Sequence, residues 1–332
     1  PASSSLIGDL YQPHARARAM SVFMVGLPLG VALSYAVGGM VAQHYGWRPA
    51  FFVAGVPGLV LGVLCLFMRE PQRGGAEILG VGAARRPGSP YLLVLAIPTM
   101  GWIIISGALH NFNLYALSFF LPAFLIRYHR VSVEAAGFIS AVVIGTVGAA
   151  GMLLGGWLGD LWARRRPDGR MLLACITLLA SAPAVYVAIS RQPGALASFM
   201  VFQALASLLM YVYYANVYST IHDVVEPVLR GTAMALYFLA MYTLGASLGP
   251  LGTGWLSDRL ARKAALGAGY PLAHGTMVPD QFRAIGLQQA MYVIPAICVL
   301  LALVLFAGAV TVRKDVERLR DWMRHVSGKC HP

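Results

Sequence analysis

One short stretch gathers the polar side chains that could contact a solute inside an otherwise apolar region. It reads His110-Asn111-Phe112-Asn113, and Tyr115 follows two residues later. Histidine changes its charge near neutral pH, and amide groups both donate and accept hydrogen bonds. His110 is therefore a candidate for a titratable contact with a substrate or a coupling proton. The alternative is a neutral histidine bonded to a backbone carbonyl.

Tyrosines supply a second set of candidates. Tyr211, Tyr214 and Tyr218 recur at i, i+3 and i+7 and line one face of a predicted helix, while Tyr237 and Tyr242 lie on the next helix. Polar groups at the middle of a membrane face protein or a water-filled cavity rather than lipid. The pattern predicts a central amphipathic cavity, although hydrogen bonding and packing between helices explain each residue alone equally well. The predicted substrate contacts are His110, Asn111, Asn113, Tyr115, Tyr211, Tyr214 and Tyr237.

A charged motif runs from Gly155 through Asp160 to the arginines at 164–166. A carboxylate can accept from the free amides at a neighbouring helix start, and arginines can bond a carboxylate at a neighbouring helix end. The motif therefore favours charge pairs that join helix ends. A basic loop with an incidental aspartate is the alternative.

The turn around Asp9 and Arg16 recurs 214 positions later around Asp223 and Arg230. An internal repeat fixes the architecture, and this one predicts two pseudo-symmetric halves. Asp160 is then expected to face the helix start near Arg16 to Met20, and Arg164 or Arg165 to meet Asp223. Such pairs would hold one side of a transporter closed and break when it opens. The predicted gating residues are Asp9, Arg16, Arg18, Asp160, Arg164, Arg165, Asp223 and Arg230.

Composition indicates an all-α membrane protein, because 58% of the 332 residues are hydrophobic and only 11% are charged. The net charge of +12 comes from scattered loop residues without an aromatic stacking platform, which excludes a nucleic-acid partner. The four cysteines have neither disulfide nor metal-ligand spacing, so no metal and no cofactor is expected. The predicted spans contain one histidine and no carboxylate, which argues against a membrane-embedded enzyme.

The apolar stretches that position the candidate residues predict eight membrane helices after an N-terminal stub. The stretch 91–126 exceeds the roughly 20 residues of one span, so Pro98 and the polar stretch 110–113 predict a broken or strongly tilted helix. Residues 254–263 are expected at the end of a helix on the outer side. The other predicted helices cover 19–41, the segment after Pro49 up to Met68, 135–158, 171–189, 195–221, 230–253 and 287–312.

Basic residues predict the orientation of these helices. Seventeen of the 25 Lys and Arg residues lie in one alternating set of loops, which includes the tail, and eight lie in the other set. The positive-inside rule makes the first set, and thus the C-terminus, cytoplasmic. The predicted segments are the remainder of an N-terminal bundle (1–68), a cytoplasmic linker (69–90), a C-terminal six-helix bundle (91–312) and a basic cytoplasmic tail (313–332).

The motif Gly155 to Arg166 resembles the cytoplasmic loop signature of the major facilitator superfamily. The chain is similar to the Spinster-like branch of that superfamily in Gly46-Trp47-Arg48, in Arg69-Glu70-Pro71 and above all in Asp223 to Phe238. It departs from that branch at Ala17, where the first-half turn usually has glycine. The resemblance implies two pseudo-symmetric six-helix bundles and alternating access, with about the first three and a half helices absent from this chain.

The resemblance further implies a monomer in the plasma membrane, surrounded by membrane lipids, that couples export of a lysolipid or sphingoid-type solute to protons. The residues that couple transport to protons are expected in helices before Pro1. A symporter or uniporter for a small organic anion or drug-like solute is the alternative, since aromatic and amide groups without basic residues suit a weakly polar solute.

Overall fold

The computed structural model describes residues 13–67, 88–270 and 277–328, and its regular secondary structure within these ranges is entirely helical. Two of its helices contain π-helical turns, at Ala141–Thr146 and Met241–Ala246. The helices are α1 (Pro13–Tyr45), α2 (Trp47–Cys65), α3 (Pro90–Leu95), α4 (Pro98–Arg127), α5 (Val133–Arg165), α6 (Gly169–Ile189), α7 (Leu196–Val224), α8 (Arg230–Gly267), α9 (Asp280–Met291) and α10 (Val293–Gly328).

Seven helical segments in the described ranges are long and apolar enough to cross a membrane. They are α2, α4, α5, α6, α7, α8 and the segment Asp280–Trp322, which joins α9 to α10. This confirms the predicted all-α membrane class, because an α-helix of about 20 apolar residues satisfies its own backbone across a bilayer. The eighth predicted span, 19–41, falls within α1, and the predicted linker 69–90 lies mostly outside the described residues.

The chain divides into two compact units, of which the first comprises Pro1–Ala83 with Ser132–Ala149. In this unit α1 packs against the first half of α5. A Cβ added to Gly39 would lie 3.0 Å from the Cα of Gly137, and the side chain of Gln43 accepts a hydrogen bond from the Val133 amide at 3.1 Å. Small residues allow this close approach of membrane helices.

The second unit comprises Ala84–Val131 with Ala150–Pro332. Here α6 packs against α7 and α10, and α4 packs against α10 and the π-helical turn of α8. A Cβ added to Gly245 would lie 2.5 Å from the Ala108 carbonyl oxygen, and one on Gly249 would lie 2.5 Å from that of Phe112. The backbones of α4 and α8 therefore approach closely at the level of His110.

The structure corrects the predicted course of three helices. The chain breaks at Ala96 and Ile97, before Pro98, whereas residues 110–113 continue α4 without interruption. Tertiary packing overrides the low helix propensity of asparagine there, and Asn111 returns a hydrogen bond to the Gly107 carbonyl at 3.1 Å.

Residues 254–263 lie inside α8, which continues to Gly267 rather than ending at 253. The predicted last span, 287–312, is also longer, because α10 runs without a break through the basic segment that was expected to be a separate tail.

Candidate functional site

Six polar side chains from three helices of the second unit come together and form what we call the His110 cluster. Each is at most 7% exposed, so the cluster is buried within the apolar part of the protein. Tyrosine bodies pack well in such surroundings, while their hydroxyl groups require hydrogen-bond partners. The members are Ser106, His110 and Asn111 on α4, Tyr213 and Tyr214 on α7, and Tyr237 on α8.

The His110 imidazole lies between two tyrosine rings. It stacks on Tyr213, with ring centroids 4.0 Å apart and an interplanar angle of 16°, and it meets Tyr214 edge-on at 4.8 Å. Neither ring nitrogen of His110 has a hydrogen-bond partner among the described residues. The predicted alternative, a histidine bonded to a backbone carbonyl, is therefore not what the structure shows.

A row of hydroxyl groups crosses the cluster. Tyr213 shares one hydrogen bond with Ser106 at 2.8 Å and another with Tyr237 at 3.2 Å, and Ser106 donates to the Ile103 carbonyl at 2.8 Å. A serine hydroxyl has a single proton, and Ser106 gives it to the Ile103 carbonyl, so Tyr213 donates to Ser106 and Tyr237 donates to Tyr213. These bonds fix the position of the Tyr213 ring beside His110.

An amide group links the other tyrosine to α4. Tyr214 donates to the side-chain oxygen of Asn111 at 3.2 Å. Close packing fixes the third ring as well, because a Cβ added to Gly107 would lie 2.5 Å from the Tyr237 ring. Glycine at 107 therefore provides the space that Tyr237 occupies.

Not every predicted substrate contact belongs to this cluster. Asn113 points to α10, where its amide donates to the Ile294 carbonyl at 3.1 Å and to the Cys298 sulfur at 3.3 Å. Tyr115 is 37% exposed, and the Tyr211 ring contacts that of Tyr214, with centroids 6.0 Å apart. The structure thus brings together four of the seven predicted residues: His110, Asn111, Tyr214 and Tyr237.

Two members of the cluster, Ser106 and Tyr213, were not predicted. The i, i+3, i+7 pattern selects Tyr211, Tyr214 and Tyr218 and passes over Tyr213, which lies about 100° away around the helix. The signal that could have found it is the adjacent pair Tyr213-Tyr214, since two neighbouring rings can enclose a third side chain from the facing helix.

The charged residues at the ends of α5, α6 and α7 form a separate group. Arg170, in the first turn of α6, donates to Asp160 of α5 at 2.7 Å and is also paired with Asp223 of α7. This corrects the expectation that Arg164 or Arg165 would meet Asp223, since both of these arginines are exposed. The nearest cation in space comes from the next helix rather than from the motif itself.

The remaining predicted gating residues contribute less to this group. Arg230 donates to the backbone carbonyl of His222 at 2.9 Å. Asp9 lies outside the described residues, and nothing is described of the side chains of Arg16 and Arg18 in α1. The expected meeting of Asp160 with the start of α1 therefore stays a prediction.

The loop between α5 and α6 is held by a bidentate ion pair. Arg166 donates to the two carboxylate oxygens of Asp168 at 3.1 and 2.6 Å. Burial raises the pKa of Asp168, but the bonds from Arg166 and the nearby charge of Arg313 outweigh it and hold the pKa below its ordinary value. The ion pair thus fixes the turn that leads to Arg170.

In the described ranges, no three His, Cys, Asp or Glu side chains are grouped so that they could hold a metal ion.

Comparisons with known proteins point to one family. The model of the Major Facilitator Superfamily matches residues 1–250. An MFS-type efflux pump of Mycolicibacterium smegmatis is 30% identical over 269 residues, which cover 78% of this chain and 59% of that protein. Protein spinster homolog 3 of Mus musculus is 30% identical over 273 residues, with 77% and 53% covered. The chain thus spans slightly more than half the length of these relatives.

A solved structure is similar over nearly the whole chain. It is the inward-facing, unoccupied form of a bacterial homologue of the human lysosomal transporter Spinster. The TM-score is 0.78 at 26% sequence identity, with 94% of this chain and 74% of that chain covered. This similarity agrees with the resemblance seen in the sequence motifs.

Proposed function

The chain belongs to the major facilitator superfamily, and on that basis we propose that it is part of a secondary transporter that exports an amphipathic or lipid-like solute by alternating access. The observation that carries this proposal is the His110 cluster, in which aromatic rings, an amide and an imidazole meet inside an apolar bundle. Aromatic faces suit the apolar part of such a solute, and the amide and hydroxyl groups suit its polar part.

The unpartnered nitrogens of His110 add to the support for a functional role. Leaving a buried polar group without a partner costs about 1–3 kcal/mol. An ionisable residue inside a membrane is by default a candidate for a substrate or proton site. His110 is proposed as a secondary titratable contact.

The relatives support the direction and the class of solute only by analogy. One relative is named an efflux pump, and a second, whose structure is solved, is a homologue of a lysosomal transporter. The first name keeps open the alternative of a drug-like solute or small organic anion. The cluster itself contains no Lys or Arg, which favours a weakly polar solute over a strongly anionic one.

The Arg170 pairs are proposed to act in gating. Arg170 ties the end of α5 to the end of α7, so any rearrangement of these helices must break or lengthen at least one of its two bonds. The excess of Lys and Arg in these loops supports the proposal that these helix ends and the C-terminus of the chain lie on the cytoplasmic side, and the membrane is proposed to be the plasma membrane.

The proposal is tested with the full-length protein in liposomes that contain either a fluorescent lysolipid or a fluorescent organic anion. We expect lysolipid flux that increases when a proton gradient is imposed, and little flux in protein-free liposomes. The variant Asp160→Asn should insert normally and transport more slowly, because Arg170 then loses one charged partner. Gradient-driven flux of the organic anion alone would favour the alternative, and no protein-dependent flux of either probe would refute the proposal.

A further inference from the structure

A pocket of about 300 Å³ opens in the second unit, away from the His110 cluster. It lies where the end of α5, the start of α6, the end of α7, the start of α8 and the late part of α10 meet. Its polar lining comes from Arg170, His222, Asp223, Arg230 and Arg320. A pocket of this size is at the lower end of the range of roughly 300–1,000 Å³ that is typical of small-molecule sites.

The pocket carries an excess of positive charge. Three guanidinium groups line it against a single carboxylate, that of Asp223. This carboxylate is paired with Arg170, which also binds Asp160, so the charge of Arg170 is compensated. Neither Arg230 nor Arg320 forms an ion pair with another residue of the described ranges. Counted with Asp160, three guanidinium groups face two carboxylates, so the excess is one positive charge, and the charge of Asp223 acts on Arg230 as well as on Arg170.

Arg230 also has a buried N–H donor that lacks a hydrogen-bond partner among the described residues. Its Nη2 donates to the His222 carbonyl, but its Nε is buried and has no partner among the described residues. A guanidinium carries five N–H donors in a planar fork, which matches the oxygens of a phosphate or carboxylate. A ligand that accepts from Nε would remove the cost of this buried donor.

The positions of Arg230 and Arg320 favour one kind of anionic ligand over another. Arg230 comes from the start of α8 and Arg320 from α10, so they approach the pocket from different helices. The oxygens of a phosphate are arranged tetrahedrally and can accept from guanidinium groups that lie in different planes, whereas the acceptor sites of a carboxylate all lie in one plane. The starts of α6 and α8 at the same pocket add favourable N-terminal dipoles.

We propose that this pocket binds a phosphate group, held by Arg230 and Arg320 and limited in affinity by Asp223. The phosphate comes from a lipid headgroup at the membrane surface or from a soluble phosphate compound. Because Asp223 and Arg170 also belong to the proposed gate, the ligand would bias the same helix ends that move during transport. The binding site itself does not depend on which solute is transported.

Binding is measured by titration calorimetry on the purified full-length protein in detergent at constant ionic strength. The probes are inorganic phosphate, dioctanoyl phosphatidic acid and dioctanoylglycerol, which has the same acyl chains without the phosphate. Tighter binding of phosphatidic acid than of phosphate would identify a lipid headgroup, and equal binding would identify a soluble source. Equal binding of dioctanoylglycerol and phosphatidic acid would overturn the proposal.

Four variants locate the site. Arg320→Gln, at an exposed position, and Arg230→Gln should each weaken binding of the phosphate probes about tenfold, as expected for loss of a charge-assisted hydrogen bond. Asp223→Asn should strengthen binding severalfold, an effect that misfolding cannot produce. Arg164→Gln removes an exposed charge that does not line the pocket and should leave binding unchanged. Equal weakening by Arg164→Gln and Arg320→Gln, or no change in Asp223→Asn, would overturn the proposal.

Discussion

Gly155 and Gly156 are neighbours on α5 with different surroundings, so alanine at each position makes a matched pair. A Cβ at 155 would lie 2.7 Å from the Cα of Val212 and 2.9 Å from its carbonyl oxygen, both backbone atoms of α7. A Cβ at 156 would meet only the Ala215 Cβ, at 3.8 Å, which is ordinary contact. We expect Gly155→Ala to destabilise the protein and Gly156→Ala to be tolerated.

The magnitude follows from the geometry of α7. An ordinary contact requires about 3.4 Å, so the backbone at Val212 must retreat by about 0.7 Å, and the bond from Asn216 to the Gly155 carbonyl at 3.0 Å must lengthen. Overpacking of this kind costs about 1–3 kcal/mol. Both variants gain the same helix propensity, about 1 kcal/mol, so the difference between them isolates the collision.

The measurement is thermal unfolding of both variants and the wild type in the same detergent. Gly156→Ala should unfold at or above the wild-type temperature, and Gly155→Ala clearly below Gly156→Ala. The displacement of α7 should also reduce transport by Gly155→Ala, because α7 carries Tyr213 and Tyr214. Equal unfolding temperatures for the two variants would show that α5 and α7 are not packed this closely.

Three further predictions concern single contacts. Gly107→Ala should be destabilised by about 1–3 kcal/mol because its methyl group would collide with the Tyr237 ring, whereas Gly101→Ala on the same helix, with nothing within 4 Å, should be tolerated in thermal unfolding. Tyr213→Phe keeps the stack on His110 but loses two hydrogen bonds, so it should lower the free energy of unfolding by about 1–2 kcal/mol, while Tyr242→Phe at a half-exposed position should not. The depressed pKa of Asp168 means that its contribution to stability is present above the unfolded pKa of about 3.9 and is lost as the pH falls through and below that value. Asp168→Asn should therefore flatten the acid part of a plot of unfolding temperature against pH, and an unchanged plot would contradict the role of the ion pair.

The class of the protein and most of its helices could be predicted from apolar runs, because a bilayer requires about 20 such residues for each helix. Pro98 and the polar stretch 110–113 were expected to give a broken or strongly tilted helix. The chain does break just before Pro98, but residues 110–113 continue α4 without a break. Hydropathy cannot show that the backbone bonds continue there and that α8, through Gly245 and Gly249, packs against this part of α4.

The candidate site was predicted in part. Helical periodicity places Tyr214 on the face that meets His110, and it also places Ser106, four residues before His110 on α4, on the His110 face. It cannot show that Ser106 meets Tyr213 of α7. The same limit applies to Arg170, since its two acidic partners are 10 and 53 residues away along the chain. Short-range patterns predict which face a residue occupies, and packing decides which faces meet.

The most direct test of the account compares two histidines that are both buried. His110 lies in the cluster, whereas His129 lies in the loop after α4 among the rings of Phe124 and Phe199. The measurement is lysolipid flux driven by a proton gradient in liposomes that contain equal amounts of His110→Gln, His129→Gln or wild-type protein. We expect flux about tenfold lower for His110→Gln, which corresponds to the loss of about 1.4 kcal/mol of interaction free energy, and near-wild-type flux for His129→Gln. Wild-type flux in His110→Gln would contradict the central claim that this cluster contacts the transported solute.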